Sequence, residues 1–403
     1  MRTPARPLAA LAALGGLALL TGCTSAAAAS WQEAGSKPPA SVTAPLAVTS
    51  PADAATDVPT ATEIAFTTPK GAATTVALTD SSGGTVAGAL RPDGSSWVPA
   101  EQLKWGTAYT ATVASGKSTK KVSFTTMNRP GDLVRVSTPL GDGAVYGVAM
   151  PLVLSFGQSV PKDQRAAIER RLFVTSTPPQ VGTWNWVSDT EVHYRTKDWW
   201  VPGTKLSVRV GTGGLSFGGH SYGAGDLTID ASIGEKLVMS TDNATHMMTV
   251  SKDDQVIKTI PISLGKPAKP SSSGNMVVMT KNQSEIFSSD EPGDSYRATV
   301  YWTQRLTWGG QYIHAAPWSV DDQGKRNVSH GCTNMSTENA KWLFELTHVG
   351  DPYTVKGTGV PLSWGDGWTD WNVSWDEYVK GSALPPPAAV PAAAPASPAP
   401  SAS

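Results

Sequence analysis

From Pro45 to about Met127 the chain is cut into short alternating runs, such as Glu63-Ile64-Ala65-Phe66-Thr67 and Tyr109-Thr110-Ala111-Thr112-Val113, separated by Gly, Pro and Asp turns. A period of two sends every second side chain to one face, and runs this short at this spacing predict the strands of a sandwich. Between Pro130 and Asp230 the plan recurs: Val58 through Phe66 has a counterpart in Val148 through Phe156, and Trp105-Gly106-Thr107 is echoed by Pro202-Gly203-Thr204. The pattern reads as a degenerate tandem repeat of two sandwiches. Neither half offers clustered acids, His or Cys, which leaves both a spacing role.

From Gly234 the texture changes. Leu237-Val238-Met239-Ser240 and Met247-Met248-Thr249-Val250-Ser251 flank Asp242-Asn243-Ala244-Thr245, and Val256 through Ile260 follows Lys252-Asp253-Asp254-Gln255, which predicts hairpins. Ser336-Thr337-Glu338-Asn339 opens the strongest helix pattern, with Ala340, Leu343, Phe344 and Thr347 at helical spacing and Gly350 as a stop. A mostly β unit with one main helix is expected. Trp364, Trp368, Trp371 and Trp375 then crowd together, suggesting an aromatic extension packed back on that unit or simply closing a core. The Pro/Ala tail that follows is expected to be disordered.

The first residues read as an export signal. Arg2 and Arg6 precede an apolar stretch from Leu8 to Leu20, shorter than the roughly 20 residues that span a bilayer. The stretch ends Leu20-Thr21-Gly22-Cys23, which resembles the bacterial lipoprotein signal, where the Cys is lipidated before cleavage; an ordinary signal peptide with a chance Cys is the other reading. With Cys23 acylated, Cys332 is an unpaired thiol, since the chain has only 2 Cys. That count also excludes a disulfide framework and a Cys-rich zinc site. A formal charge of −1 argues against a nucleic-acid binder, and 15 Trp in a weakly charged chain do not fit global disorder.

The chemistry concentrates in His314-Ala315-Ala316-Pro317-Trp318 and Ser329-His330-Gly331-Cys332-Thr333-Asn334. A thiol with a pKa of about 8.5 is only a few per cent thiolate at neutral pH, so a nucleophilic Cys needs a base within reach. His330 is near in sequence, whereas His314 comes close only through folding. Gly331 permits close backbone approach, and amides around Cys332 could converge on a developing oxyanion. On residues alone, a buried structural thiol with a satisfied His stays open beside the reactive Cys.

The His at 314 and Ser-His-Gly-Cys-x-Asn at 329 to 334 resemble the signature of L,D-transpeptidases, bacterial cell-wall cysteine acyltransferases. The similarity runs from about Ile233 to Lys380, and the two preceding sandwiches with a lipoprotein signal resemble the actinobacterial branch. The resemblance implies a mostly β chain: two immunoglobulin-like β-sandwich domains followed by an L,D-transpeptidase catalytic β-sandwich domain with one main helix. The expected segments are a signal peptide at 1–22, a tether at 23–44, immunoglobulin-like domains at 45–128 and 129–231, the catalytic domain at 232–357, a Trp-rich extension at 358–382 and the tail at 383–403.

The same resemblance makes Cys332 the nucleophile and His314 the base. The backbone carbonyl of Ala315 orients the imidazole, where relatives often carry Ser. It implies that Tyr296 is a flap residue that helps the oxyanion hole, that Gly309 and Gly310 form a substrate-lining turn, and that Trp318 and Asn334 wall the site. Ser329, His330 and Gly331 complete the substrate-binding motif, with His330 shaping the site rather than acting as base. Tyr296 could otherwise be a loop aromatic, Trp318 a core aromatic and Asn334 a turn residue. The implied partners are peptidoglycan stem peptides as donor and acceptor, carbapenem-type β-lactams as covalent inhibitors, and a membrane held through a lipid on Cys23; no metal or other cofactor is expected. An L,D-carboxypeptidase with the same residues and a non-enzymatic cell-wall binding lipoprotein remain as rivals.

Overall fold

The computed structural model describes residues 45–293 and 295–386. The leader at 1–22, Cys23, the tether and the tail beyond 386 lie outside the described residues. Alternation builds the first sandwich: in Ala108–Ser115, Tyr109, Ala111 and Val113 point inward and share a core with Ile64, Phe66, Leu78 and Trp97. One sheet runs Ala47–Ser50, Ile64–Thr67, Ser96–Pro99, Gly88–Leu90 in spatial order, and the other Ala55–Val58, Ser118–Thr126, Ala108–Ser115, Thr74–Asp80, Thr85–Val86.

The second sandwich pairs a sheet of Val145–Tyr146, Asp226–Ile233, Lys205–Gly211 and Leu172–Thr177 with one of Leu152–Ser155, Glu191–Thr196 and Gly182–Trp186. It also carries a helix, Lys162–Glu169, that the sequence pattern did not reveal. Its N-cap is Pro161, with no side-chain cap, and Ile168 is its only buried apolar residue, so the usual start signal and stripe are both missing.

The third unit stacks a five-stranded sheet, ordered Gln255–Pro261, Met247–Lys252, Leu237–Asp242, Pro352–Lys356, Gly274–Val277, against a four-stranded one, ordered Thr280–Ser289, Tyr296–Arg305, Tyr312–Ala315, Thr333–Met335. The hairpins anticipated from the sequence form the edge of the first sheet. The main helix is Thr337–Leu346; the Ser336 side chain accepts the Asn339 N–H as its cap, and Ala340 and Leu343 are buried. It stops short of Gly350 because Thr347 turns extended, with both its N–H and its Oγ1 donating to the Leu343 carbonyl.

The Trp-rich extension does not simply fold back on the third unit. Trp368 joins the core of the second sandwich together with Val277 and Met279, so one apolar cluster crosses from one unit into the next. Trp371 Nε1 donates to the Ala149 carbonyl at 2.7 Å, and Asn185 Nδ2 donates to that of Tyr378 at 2.6 Å. The Arg195 guanidinium lies over the rings of Trp371, Trp375 and Tyr378. The segment past 382 is also partly held: Ala383 N–H donates to Glu169 Oε2 at 2.7 Å.

The expectation that the sandwiches hold no acid–His cluster is corrected at the same place. His193 Nε2 lies 2.8 Å from Glu191 and its Nδ1 3.0 Å from Asp370, which the extension supplies. Burial alone would lower the His193 pKa, but the two carboxylates outweigh it and hold it near 9, so the ring is an imidazolium at neutral pH. Fold closure creates this cluster, because Asp370 is remote in sequence.

A second buried ionic knot joins the two sandwiches. Glu63, in the first, pairs with Arg91 of its own sandwich and with Arg171 of the second at 2.6 Å. Ser96 Oγ donates to it at 2.5 Å. Burial would raise the Glu63 pKa, yet these partners hold it below the usual carboxylate value. Removing one partner of a buried pair strands the others, so Glu63→Ala should lower the stability of the first unfolding transition by about 3 kcal/mol. Urea denaturation measures it, and an unchanged midpoint would show that the knot contributes nothing.

Candidate active site

The strands Tyr312–Ala315 and Thr333–Met335 run parallel, with Ile313 opposite Thr333 and His314 opposite Asn334. Because side chains alternate along a strand, His314 and Asn334 share a face, and Cys332, in the bend just before the second strand, opens on the same cavity. Cys332, His314, Asn334, Trp318, Ser329, His330 and Tyr296 line one cavity of about 560 Å³. Ala315, Gly309, Gly310 and Gly331 are not in its wall.

His314 is buried, and its Nδ1 lies 2.9 Å from the Ala315 carbonyl oxygen. A carbonyl only accepts, so Nδ1 carries the proton and Nε2 keeps its lone pair. Burial pushes the imidazole pKa down to about 4, against a small opposing effect of the Ala315 carbonyl. Cys332 is 9% exposed, and burial pushes its thiol up to about 12. The resting pair is therefore a neutral thiol and a neutral imidazole. Phe287 stands edge-on to the His314 ring at 5.4 Å, and the Trp318 ring lies 6.1 Å away. Sequence reasoning missed Phe287, although it sits in the alternating run Glu285-Ile286-Phe287.

The loop that carries Cys332 is tied down bond by bond. Ser329 Oγ donates to the Cys332 carbonyl at 2.6 Å and accepts the Gly331 N–H at 3.1 Å. Of the amides around Cys332, that of Gly331 is thereby turned away from an oxyanion: with φ at +120°, a conformation suited to glycine, the loop folds that N–H back onto Ser329. Ser271 Oγ donates to the Gly331 carbonyl at 2.7 Å. On the next strand position, Asn334 Nδ2 donates to Ser319 Oγ at 3.2 Å.

Tyr296 begins the second strand of the hairpin Thr280–Ser289 with Tyr296–Arg305, opposite Ser289. Its ring centroid lies 5.2 Å from that of His330, whose Nε2 is 3.1 Å from Lys266 Nζ. Trp318 sits in the turn Pro317–Ser319 and is largely exposed rather than a core aromatic. Gly309 and Gly310 do not line the cavity as expected. The Gly310 carbonyl instead accepts from Cys332 Sγ at 3.6 Å, and the Gly309 N–H donates to Asp366 Oδ1 at 2.6 Å.

An imidazole whose Nδ1 proton is committed and a thiol lining the same cavity are the two groups that acyl transfer through a thioester requires. Because the thiol rests protonated, alkylation of native Cys332 by iodoacetamide at pH 7 should be more than about 100-fold slower than that of free cysteine and still rising near pH 10. A rate that levels off near neutral pH would instead reveal a resting thiolate–imidazolium pair.

The chain matches a bacterial Ig domain model over residues 55–216 and an L,D-transpeptidase catalytic domain model over residues 237–355. It is 33% identical to L,D-transpeptidase 2 of Mycobacterium tuberculosis over 79% of this chain and 80% of that one. It is 36% identical to L,D-transpeptidase 5 of the same organism over 79% of this chain and 72% of that one. A solved structure of the LD transpeptidase LdtMt1 in complex with imipenem is 34% identical, covers 56% of this chain and 100% of that one, and has a TM-score of 0.48. With its two sandwiches and its Cys–His site, this chain belongs to the L,D-transpeptidase family.

Proposed function

We propose that the protein crosslinks peptidoglycan stem peptides through a thioester on Cys332. One observation carries the reading: Cys332 and His314 face one cavity from paired strands, with the His314 Nδ1 proton committed to the Ala315 carbonyl. His314 Nε2 takes the thiol proton as Sγ attacks the carbonyl between the L-centred third residue of a tetrapeptide donor and its terminal D-residue. The imidazolium returns that proton to the departing D-residue amine as the C–N bond breaks, leaving a thioester. A side-chain amine of a second stem then attacks and gives its proton to His314. The C–S bond breaks, the thiol re-forms, and the product is a 3-3 crosslink.

The Cys332 N–H and the Tyr296 hydroxyl are the proposed oxyanion donors; losing one such donor typically costs about 100- to 1000-fold in rate. The hairpin that carries Tyr296 favours an amine over water by positioning. Trp318 and Asn334 hold the acyl donor, while Ser329 and Gly331 fix the nucleophile loop. A carbapenem presents a strained acyl carbonyl to the same thiol and should acylate Cys332; a relative 34% identical in sequence has been solved with imipenem.

Full-length protein incubated with a disaccharide tetrapeptide should give Cys332-dependent dimers that have lost the terminal D-residue, read by mass spectrometry. Cys332→Ala should abolish them, and His314→Ala should nearly do so. Tripeptide monomers alone would make the protein an L,D-carboxypeptidase, and no Cys332-dependent product would leave a binding protein.

The proposed location is the outer face of the cell membrane, through a lipid on Cys23, with the catalytic domain acting in the wall. The Leu20-Thr21-Gly22-Cys23 sequence supports it. Cys23→Ala should release the protein from the membrane fraction, and a variant that stays bound would contradict the anchor.

A further inference from the structure

The turn between the strands Tyr296–Arg305 and Tyr312–Ala315 is held at nearly every peptide. Arg305 donates to the carbonyls of Thr307 at 2.9 Å and Trp308 at 3.0 Å, and the Gln311 N–H donates to Thr307 Oγ1 at 3.2 Å. The Gln311 side chain ties the turn to Ser272, next to the Ser271 that holds the Gly331 carbonyl. The Gly310 carbonyl, at the centre of this turn, accepts the thiol of Cys332. Its peptide is oriented by a left-handed residue, since Gly310 has φ +91°.

One bond to this turn comes from the extension: Asp366 Oδ1 accepts the Gly309 N–H at 2.6 Å. The approach is close. A Cβ on Gly309 would fall 2.9 Å from Asp366 Oδ2, and one on Gly367, at φ +96°, would fall 2.9 Å from the Leu306 carbonyl oxygen. The extension reaches this turn from a fixed base, because Trp368 is in the core of the second sandwich and Asp370 pairs with His193. A carboxylate bond to a backbone N–H is among the stronger hydrogen bonds, and here it fixes the 308–309 peptide, two peptides before the one whose carbonyl receives the thiol hydrogen.

We propose that Asp366 is a positioning residue for Cys332: by holding the Gly309 amide it fixes the Gly310 carbonyl that sets the thiol's resting orientation, so that the extension and the second sandwich support the nucleophile from behind. This rests on Cys332 being the nucleophile. Without the Asp366 bond the turn gains freedom, the neutral thiol loses its acceptor, and Sγ no longer starts from one orientation toward the donor carbonyl.

The test compares the full chain with Asp366→Ala and Asp366→Asn, the second keeping an Oδ1 acceptor for Gly309. Asp366→Ala should lower kcat for donor acylation at least about tenfold with KM little changed, as misplacement of a reacting group does. It should also move the pH profile of Cys332 alkylation down by roughly half a unit, because a bond to the protonated form is lost. Asp366→Asn should restore both. Wild-type kcat and alkylation profile in Asp366→Ala would overturn the proposal. So would an Asn variant that behaves like Ala, or an Ala variant whose only change is a lower urea midpoint. Alkylation needs no substrate, so if wild-type protein makes no crosslink the functional reading fails while this inference is still decided by the alkylation profile.

Discussion

The register between two short buried strands is the constraint on which everything else depends. Ile313 opposite Thr333 and His314 opposite Asn334 put the imidazole and the thiol on one face. Slipping that pairing by a single residue would turn one of them into the core. Much of the third unit serves to hold that register. Ser263 exchanges backbone hydrogen bonds with Asn334, the Ser329 N–H donates to the Leu264 carbonyl, and the main helix continues directly from Thr333–Met335 with Ser336 as its cap. The pair is separated in sequence and brought to one cavity by this pairing.

The two sandwiches and the extension form a continuous support rather than a string of beads. Glu63 ties the first sandwich to the second through Arg171. The apolar cluster that includes Trp368 runs from the second sandwich to Val277 and Met279 in the third unit. His193, charged between Glu191 and Asp370, pins the extension where those two units meet. Buried charges of this kind are costly to desolvate and compensate only when every partner is in place, so they favour one arrangement of the units over many.

Local signals carried much of this into the sequence. The alternation around Tyr109 and Ile64, the Ser336 cap and the meander after Leu237 needed only periodicity and turn chemistry. The motif at 329 to 334 brought the rest of the site through resemblance. What the sequence hid is long-range. Nothing local pairs Asp370 with His193 or Arg171 with Glu63, and the helix Lys162–Glu169 lacks both a capping side chain and an apolar stripe. The direction of an amide was equally invisible: Gly331 could be read as permissive, but that its N–H turns to Ser329 depends on a φ that only the folded loop fixes. Gly309 and Gly310 could be located from the motif, whereas their contacts with Asp366 and Cys332 depend on an extension whose docking site lies two units away in sequence.

The buried, protonated state of Cys332 bears on how long a molecule of this kind survives. Thiolates attack peroxides and disulfides far faster than thiols do, so a sulfur held as S–H against a carbonyl is spared the ladder from sulfenic to sulfonic acid. In the proposed reaction, reactivity is conferred only when a substrate carbonyl and the His314 lone pair are both in line. The same burial that makes the free thiol a poor nucleophile thus sets its durability, and a more acidic cysteine at this position would gain reactivity toward every electrophile, oxidants included, at the expense of working lifetime.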